Sequence, residues 1–280
     1  MTSAPELKYI TANDVRLAYF EEGTGPLVLL IHGFPDTPHT WSAVRPAIAA
    51  LGFRVVTPFT RGYFPSEIPR NGAYDADTLG QDVVSLITAL GEERAVIVGH
   101  DWGASAAYSA AGLSPERVQM LITVAIPHPA SVVPTPSLLW TVRHFFAFQP
   151  KSANARVRAD DFAHLDELVQ RWSPAWHVPP DETRAVKEAL RPEGHAEAAL
   201  GYYRALSLAL PKAQRRPVTV PSVAFAGTDD LIAPSAYERA RKRYRAAYEV
   251  VTMPGGHFMH REHPEVFIRE LSRVLSPLRA

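Results

Sequence analysis

The chain has no cysteine. That excludes disulfides, thiolate metal sites and a cysteine nucleophile, and it leaves the compartment open. It has no excess charge of either sign, since 29 Lys and Arg balance 29 Asp and Glu. The balance therefore favours neither nucleic acid nor an anionic membrane as a partner. No apolar run approaches the length that spans a bilayer, and Met1 to Ile10 lack the basic and apolar regions of a secretory signal. A cytoplasmic location is the default expectation. There is no internal repeat and no low-complexity stretch. What remains is 280 residues with 46% hydrophobic and 21% charged content, enough for one large α/β domain or a core with an inserted unit.

Read in order, short β-branched runs alternate with amphipathic ones. Residues 7–10 and 15–20 predict two strands around the polar turn Thr11-Ala12-Asn13-Asp14. Residues 27–31 form a solid apolar run, as in a strand buried on both faces. His32-Gly33-Phe34-Pro35 turns it, and 41–51 read as a helix. A strand at 53–57, a helix from Asp77 to about Leu90, and strands near 95–98 and 120–125 follow. Such alternation predicts a mostly parallel, doubly wound sheet. From His128 to Pro217 the signals are helical only, at 137–148, 159–172, 181–190 and 196–210. Prolines crowd both borders: Pro127, Pro129, Pro134 and Pro136, then Pro211, Pro217 and Pro221. Strands at 222–226 and 248–252, with helices near 235–245 and 264–275, resume the alternation. The predicted organisation is a core of residues 1–127 and 218–280 with a helical domain, 128–217, inserted. That insertion would cover the carboxyl ends of the strands, where open α/β sheets bind ligands.

The chemistry gathers at Gly99-His100-Asp101-Trp102-Gly103. A buried strand hands over to an alanine-rich helix here, through a turn too tight for a β-carbon on either side. In a G-x-S-x-G elbow the exposed residue is serine; here it is Asp101. Serine attacking saturated carbon would leave an ether that a histidine and water cannot clear. A carboxylate attacking the same carbon leaves an ester, so turnover is possible. Asp101 therefore points to epoxide opening or halide displacement, with a plain acidic N-cap as the bland alternative.

An ester needs a base and an oxyanion site. Gly255-Gly256-His257-Phe258 and Gly227-Thr228-Asp229-Asp230 each follow a predicted strand, in the order nucleophile, acid, histidine. His257 is the expected base, with Asp230, or else Asp229, holding its tautomer. The amides of Trp102 and Phe34, with His32 in the same loop, are the expected oxyanion and substrate contacts. His257, His260 and His263 have metal-like spacing, but the glycines and Pro264 interrupt the helix a metal site would need. No metal and no cofactor are expected.

Taken together, His32-Gly33-Phe34-Pro35, Gly99-His100-Asp101-Trp102-Gly103, Gly227-x-x-Asp230 and Gly256-His257-Phe258 resemble the α/β-hydrolase superfamily, and within it the soluble epoxide hydrolase branch. The resemblance runs from about Tyr9 to Leu275 and implies an α/β-hydrolase core with an inserted all-helical cap. In that branch two cap tyrosines bond the epoxide oxygen as the ring opens. Gly201-Tyr202-Tyr203-Arg204-Ala205 matches one motif, so Tyr203 is the implied donor. The chain departs at the second, having no tyrosine between His128 and Leu200. His144, in Arg143-His144-Phe145-Phe146-Ala147-Phe148-Gln149, falls near the place and would make a His–Tyr pair like that of some relatives; a core-satisfied histidine is the alternative. The expected substrate is a small apolar epoxide, with water as co-substrate, in a pocket of Trp102, Trp140, Phe145, Phe146 and Phe148. Trp172 and Trp176 read as cap structure only. The expected assembly is a monomer or homodimer. The competing enzyme reading is a haloalkane or haloacid dehalogenase using the same Asp101. An idle member acting as a receptor is disfavoured by the full set of nucleophile, acid and base.

Overall fold

The computed structural model describes residues 5–207 and 209–279, with only the backbone described at Ser137. One eight-stranded sheet holds β1 (Leu7–Ala12), β2 (Val15–Glu22), β3 (Leu27–Ile31), β4 (Arg54–Pro58), β5 (Ala95–His100), β6 (Val118–Val124), β7 (Ser222–Gly227) and β8 (Tyr248–Met253). Their spatial order is β1-β2-β4-β3-β5-β6-β7-β8. β2 runs antiparallel to β1 and β4, and β3 to β8 are parallel. This is the mostly parallel, doubly wound sheet expected from the alternating pattern. The first hairpin is tighter than predicted. Thr11 and Ala12 belong to β1, and only Asn13 and Asp14, at φ 46° and 60°, make the turn, because a two-residue turn with positive φ matches the strand twist.

β3 and β5 are buried along their whole length. Their side chains alternate between two apolar layers. Leu27, Leu29, Ile31, Ala95 and Ile97 face the helices Ala76–Ala89 and Trp102–Leu113, whereas Val28, Leu30, Val96 and Val98 face Val44–Ala49 and Pro264–Leu275.

Between β6 and β7, neighbours in the sheet, the described residues form helices and no strand: Pro136–Thr141, His144–Ala147, Ala153–Trp172, Arg184–Leu190 and His195–Arg204. The single helix expected at 137–148 is broken near Thr141 and Val142, whose β-branched side chains fit a helix less well. The helix ending at Trp172 begins six residues before Ala159, and what starts near Ala159 is a kink, with Asp160, Asp161 and Phe162 left-handed. The expected 181–190 helix loses its first turn, and the 196–210 helix stops at Arg204; Leu208 lies outside the described residues. The 41–51 helix is a 3-10 turn, Pro38–Trp41, followed by Val44–Ala49 with Pro46 in its first turn, where no N–H is needed. The 235–245 helix ends at Ala240 and tightens into 3-10 geometry at Arg241–Arg243. Among the described residues no helix is long and apolar enough to cross a membrane.

Candidate active site

Chain direction along the sheet reverses between β3 and β5, since β4 lies on one side of β3 and β6 on the far side of β5. Such a switch point leaves a crevice beyond the strand ends. Asp101 stands there, at the turn between β5 and the helix Trp102–Leu113, with φ 52° and ψ −117°. A side chain held in that region costs about 1–3 kcal/mol, which the surroundings must enforce. They do so by contact: a β-carbon on Gly99 would lie 2.2 Å from the Gly103 carbonyl oxygen, and one on Gly103 would lie 2.2 Å from that of Ile31.

The loop after β3 meets this carboxylate. The Phe34 amide donates to Asp101 Oδ1 at 2.8 Å. A methyl on Gly33 would come within 2.3 Å of that oxygen and 2.6 Å of the Trp102 amide nitrogen, so only glycine leaves both amides open to one oxygen. His32 does something other than expected. Its Nδ1 donates to the Gly33 carbonyl and its Nε2 accepts from the Thr60 amide, at 2.9 and 3.1 Å. Both ring nitrogens brace the loop from behind and none is left for a substrate.

His257, on the loop after β8, lies between two carboxylates. Its Nδ1 is 3.1 Å from Asp230 Oδ1, and its Nε2 is 3.4 Å from Asp101 Oδ2 without hydrogen-bond geometry. The turn after β7 places Asp230, and not Asp229, beside His257. Asp230 has a fully buried carboxylate steadied by the Leu231 amide, while the exposed Asp229 accepts from the Thr228 hydroxyl.

Charge separates His257 from the other imidazoles here. Burial lowers the pKa of His32 and His100 to about 4 and of His144 to about 3, and pushes His260 well below its usual value. Burial opposes the His257 imidazolium as well, but Asp230 and Asp101 together raise its pKa to about 10. Reciprocally, burial works against the Asp101 carboxylate, yet His257, with smaller help from His100 and the Phe34 amide, keeps its pKa below the usual value.

The helices between β6 and β7 supply the facing wall. Tyr203 is 1% exposed, in a nest of Phe34, Trp102, Phe145 and Phe148 with ring centroids 5.0–5.5 Å away. Its hydroxyl has no hydrogen-bond partner of ordinary geometry among the described residues, and burial followed by the Asp101 charge raises its pKa well above the usual value. The His144 ring is buried, 5.7 Å from that of Tyr203, and its Nδ1 has no hydrogen-bond partner of ordinary geometry among the described residues. Trp140 and Phe146, expected in the pocket, are 71% and 64% exposed and lie outside it.

Several residues near the site make contacts that the sequence did not show. Trp172, read as structure only, packs 4.7 Å from His144 and 5.2 Å from His257. His100 bonds the His257 carbonyl through Nε2 at 2.9 Å. His100 itself was visible in the elbow motif, but this contact was not. Asp36, His100 and His260 bring ligand-capable atoms within 4.8 Å of one another. A metal ion there would face the Arg261 guanidinium, which is 3.1 Å from both oxygens of Asp36 and already neutralises it. His263 does not join that group, and His260 bonds the Thr40 hydroxyl at 2.6 Å.

Comparison with known proteins gives the arrangement its relatives. The family model for the α/β hydrolase fold matches residues 26–264. AB hydrolase superfamily protein YfhM of Bacillus subtilis is 34% identical over 209 residues, 71% of this chain and 72% of that protein. Epoxide hydrolase 3 of Xenopus tropicalis is 31% identical over 278 residues, 92% of this chain and 74% of that protein. The crystal structure of Bacillus megaterium epoxide hydrolase in complex with an inhibitor superposes with a TM-score of 0.85 at 26% identity, covering 96% of this chain and 99% of that one.

Proposed function

Because the chain belongs to the α/β-hydrolase fold family and is a hydrolase similar to the epoxide hydrolases, we propose that it opens an epoxide to a vicinal diol through a covalent ester on Asp101. One observation carries the reading: a carboxylate at the positive-φ turn has one oxygen on the Phe34 amide and the other 3.4 Å from His257 Nε2. Oδ2 is then the attacking atom and Oδ1 the future ester carbonyl.

In the first step Oδ2 bonds a ring carbon and the C–O bond of the epoxide breaks. Tyr203, whose buried hydroxyl has no hydrogen-bond partner of ordinary geometry among the described residues, donates to the departing oxygen, with His144 as the second donor. The oxygen ends protonated, at the expense of the His257 imidazolium, with the phenol passing the proton on. Esterification removes the Asp101 charge that helped to keep His257 protonated, so the imidazole becomes a base at the moment one is needed. In the second step His257 takes a proton from water, and the hydroxyl adds to the Asp101 ester carbon. The Phe34 and Trp102 amides hold the oxyanion, and collapse releases the diol with Asp101 ionised and His257 protonated again.

The segment 128–217 acts as a lid over a core of 1–127 and 218–280 in this reading. Support comes from the split of the machinery, with Tyr203 and His144 on one part and Asp101, Asp230 and His257 on the other. The aromatic nest favours small apolar epoxides.

A panel of styrene oxide, a trans-epoxide, a haloalkane and a haloacid tests the proposal, with one turnover run in heavy-oxygen water. Diol from the epoxides, label in the Asp101 peptide and no product from Asp101→Ala are expected. Diol without label in that peptide overturns the ester, and halide release without diol moves the assignment to a dehalogenase.

A further inference from the structure

The loop carrying His257 contains two adjacent glycines, Gly255 and Gly256, and so has little stiffness of its own. Its three successive amides are nevertheless all bonded. Gly256 N–H donates to Glu262 Oε1 at 2.8 Å, His257 N–H to the Trp172 carbonyl at 2.9 Å, and Phe258 N–H to Ser173 Oγ at 3.1 Å. Ser173 Oγ in turn donates to the same Glu262 oxygen. Two of the three acceptors thus belong to the end of the helix Ala153–Trp172, on the segment read above as the lid. The contact is close. Ser173 is fully buried, and a β-carbon on Gly256 would lie 2.6 Å from its Cα.

We propose that Ser173 and Glu262 are positioning residues that set the His257 imidazole for the water step. The argument rests on the ester reading above. Among the described residues neither side chain bonds Asp101. The first step draws on His257 only for its charge and a relayed proton, which depend less on the exact placement of the ring than water activation does. A general base, by contrast, must meet a water within hydrogen-bond reach of the ester carbon. A base displaced by a fraction of an ångström to an ångström slows that step steeply. The hydroxyl of Ser173 is the node: it accepts from the loop and donates to the carboxylate that holds the loop's other end. Ser173 therefore makes the position of the base depend on the seating of the helical segment.

The two half-reactions separate this role from a general structural one. Parent enzyme, Ser173→Ala, Glu262→Ala, Glu262→Gln and His257→Gln are mixed with styrene oxide, quenched at intervals and weighed intact, and each variant is melted alongside. Ser173→Ala and Glu262→Ala are expected to alkylate at close to the parental rate but to clear the ester at least about tenfold more slowly, so that alkylated enzyme accumulates. Glu262→Gln, which keeps an acceptor for Gly256 and Ser173, is expected to recover most of the lost rate. Equal slowing of both steps, or an unchanged clearing rate in a folded Ser173→Ala enzyme, overturns the proposal. If Ser173→Ala does not fold, the contrast between Glu262→Ala and Glu262→Gln decides in the same way. His257→Gln reports on the premise: alkylated enzyme that persists there upholds the ester, and its absence defeats the ester reading whatever Ser173 does.

Discussion

His257 Nε2 stands 3.4 Å from Asp101 Oδ2, near enough for strong charge interaction and without hydrogen-bond geometry. On its other side Nδ1 is bonded to Asp230. The imidazolium is therefore held by two carboxylates, of which the proposed ester would neutralise Asp101 and leave Asp230 charged.

This arrangement has a pH signature. A His257 pKa raised to about 10 gives stability that is complete below the ordinary histidine value near 6.5 and is lost as pH rises through about 10. Parent minus His257→Gln melting temperatures should therefore shrink between neutral pH and pH 10. In Asp101→Asn, histidine ring titration by NMR should find the His257 pKa lower by about one unit or more, the size of shift that loss of one nearby charge produces. A His257 pKa indifferent to Asp101 would sever the link between esterification and base strength.

The two proposed ring-opening donors, Tyr203 and His144, should act on the alkylation step. Tyr203→Phe keeps the aromatic nest and loses the hydroxyl, and it should slow single-turnover alkylation by about 10²-fold or more, as removal of an oxyanion donor does elsewhere. His144→Phe should slow the same step by a smaller factor while ester clearance is preserved. Equal effects on both steps, or none from His144→Phe, would return His144 to packing.

Gly33→Ala should cost activity out of proportion to stability. The added methyl meets the Asp101 carboxylate and the Trp102 amide at 2.3 and 2.6 Å. Overpacking of this kind costs about 1–3 kcal/mol, but the atoms displaced are the proposed nucleophile and oxyanion donor. A folded variant with parental turnover would show that the two amides are not used.

Arg61 and Asp82 form a buried pair, further tied to the Ala73 carbonyl and the Asn13 amide. Arg61→Leu leaves a buried carboxylate uncompensated and should lose about 3–5 kcal/mol in denaturant unfolding. Removing both charges, Arg61→Leu with Asp82→Leu, should recover much of the loss. A double variant no better than the single one would mean that Arg61 acts through its packing under Tyr202, which bonds its carbonyl at 2.8 Å.

The elbow was legible because every feature that makes it lies within five residues: glycine, histidine, aspartate, tryptophan, glycine after a β-branched strand. The core strands were legible for a similar reason, since period and length carry their signal. Asp230 was favoured over Asp229 only because it lies deeper in the turn. Adjacent residues share every local signal, and only the turn's three-dimensional path decides which carboxylate meets His257. Trp172 and Ser173 were missed because an apolar residue and a small polar one at a helix end look the same whether they face solvent, core or a catalytic loop. Trp140 and Phe146 show the opposite error, aromatic side chains counted toward a pocket they do not line.

By itself the order of residues determined the strand and helix alternation, the tight turn at Asp101 and the kind of bond its carboxylate is suited to make. Those follow from backbone sterics and side-chain chemistry over a few positions. The tertiary structure decided the rest: that His32 faces backbone, that Asp230 rather than Asp229 lies beside His257, and that His100 and Ser173 bond the loop bearing His257 from 157 and 85 positions away, respectively. Contacts across such separations arise only when the sheet order is closed and the two apolar layers are packed. Short-range preference cannot specify them, because its energy is spent within a turn or two of chain.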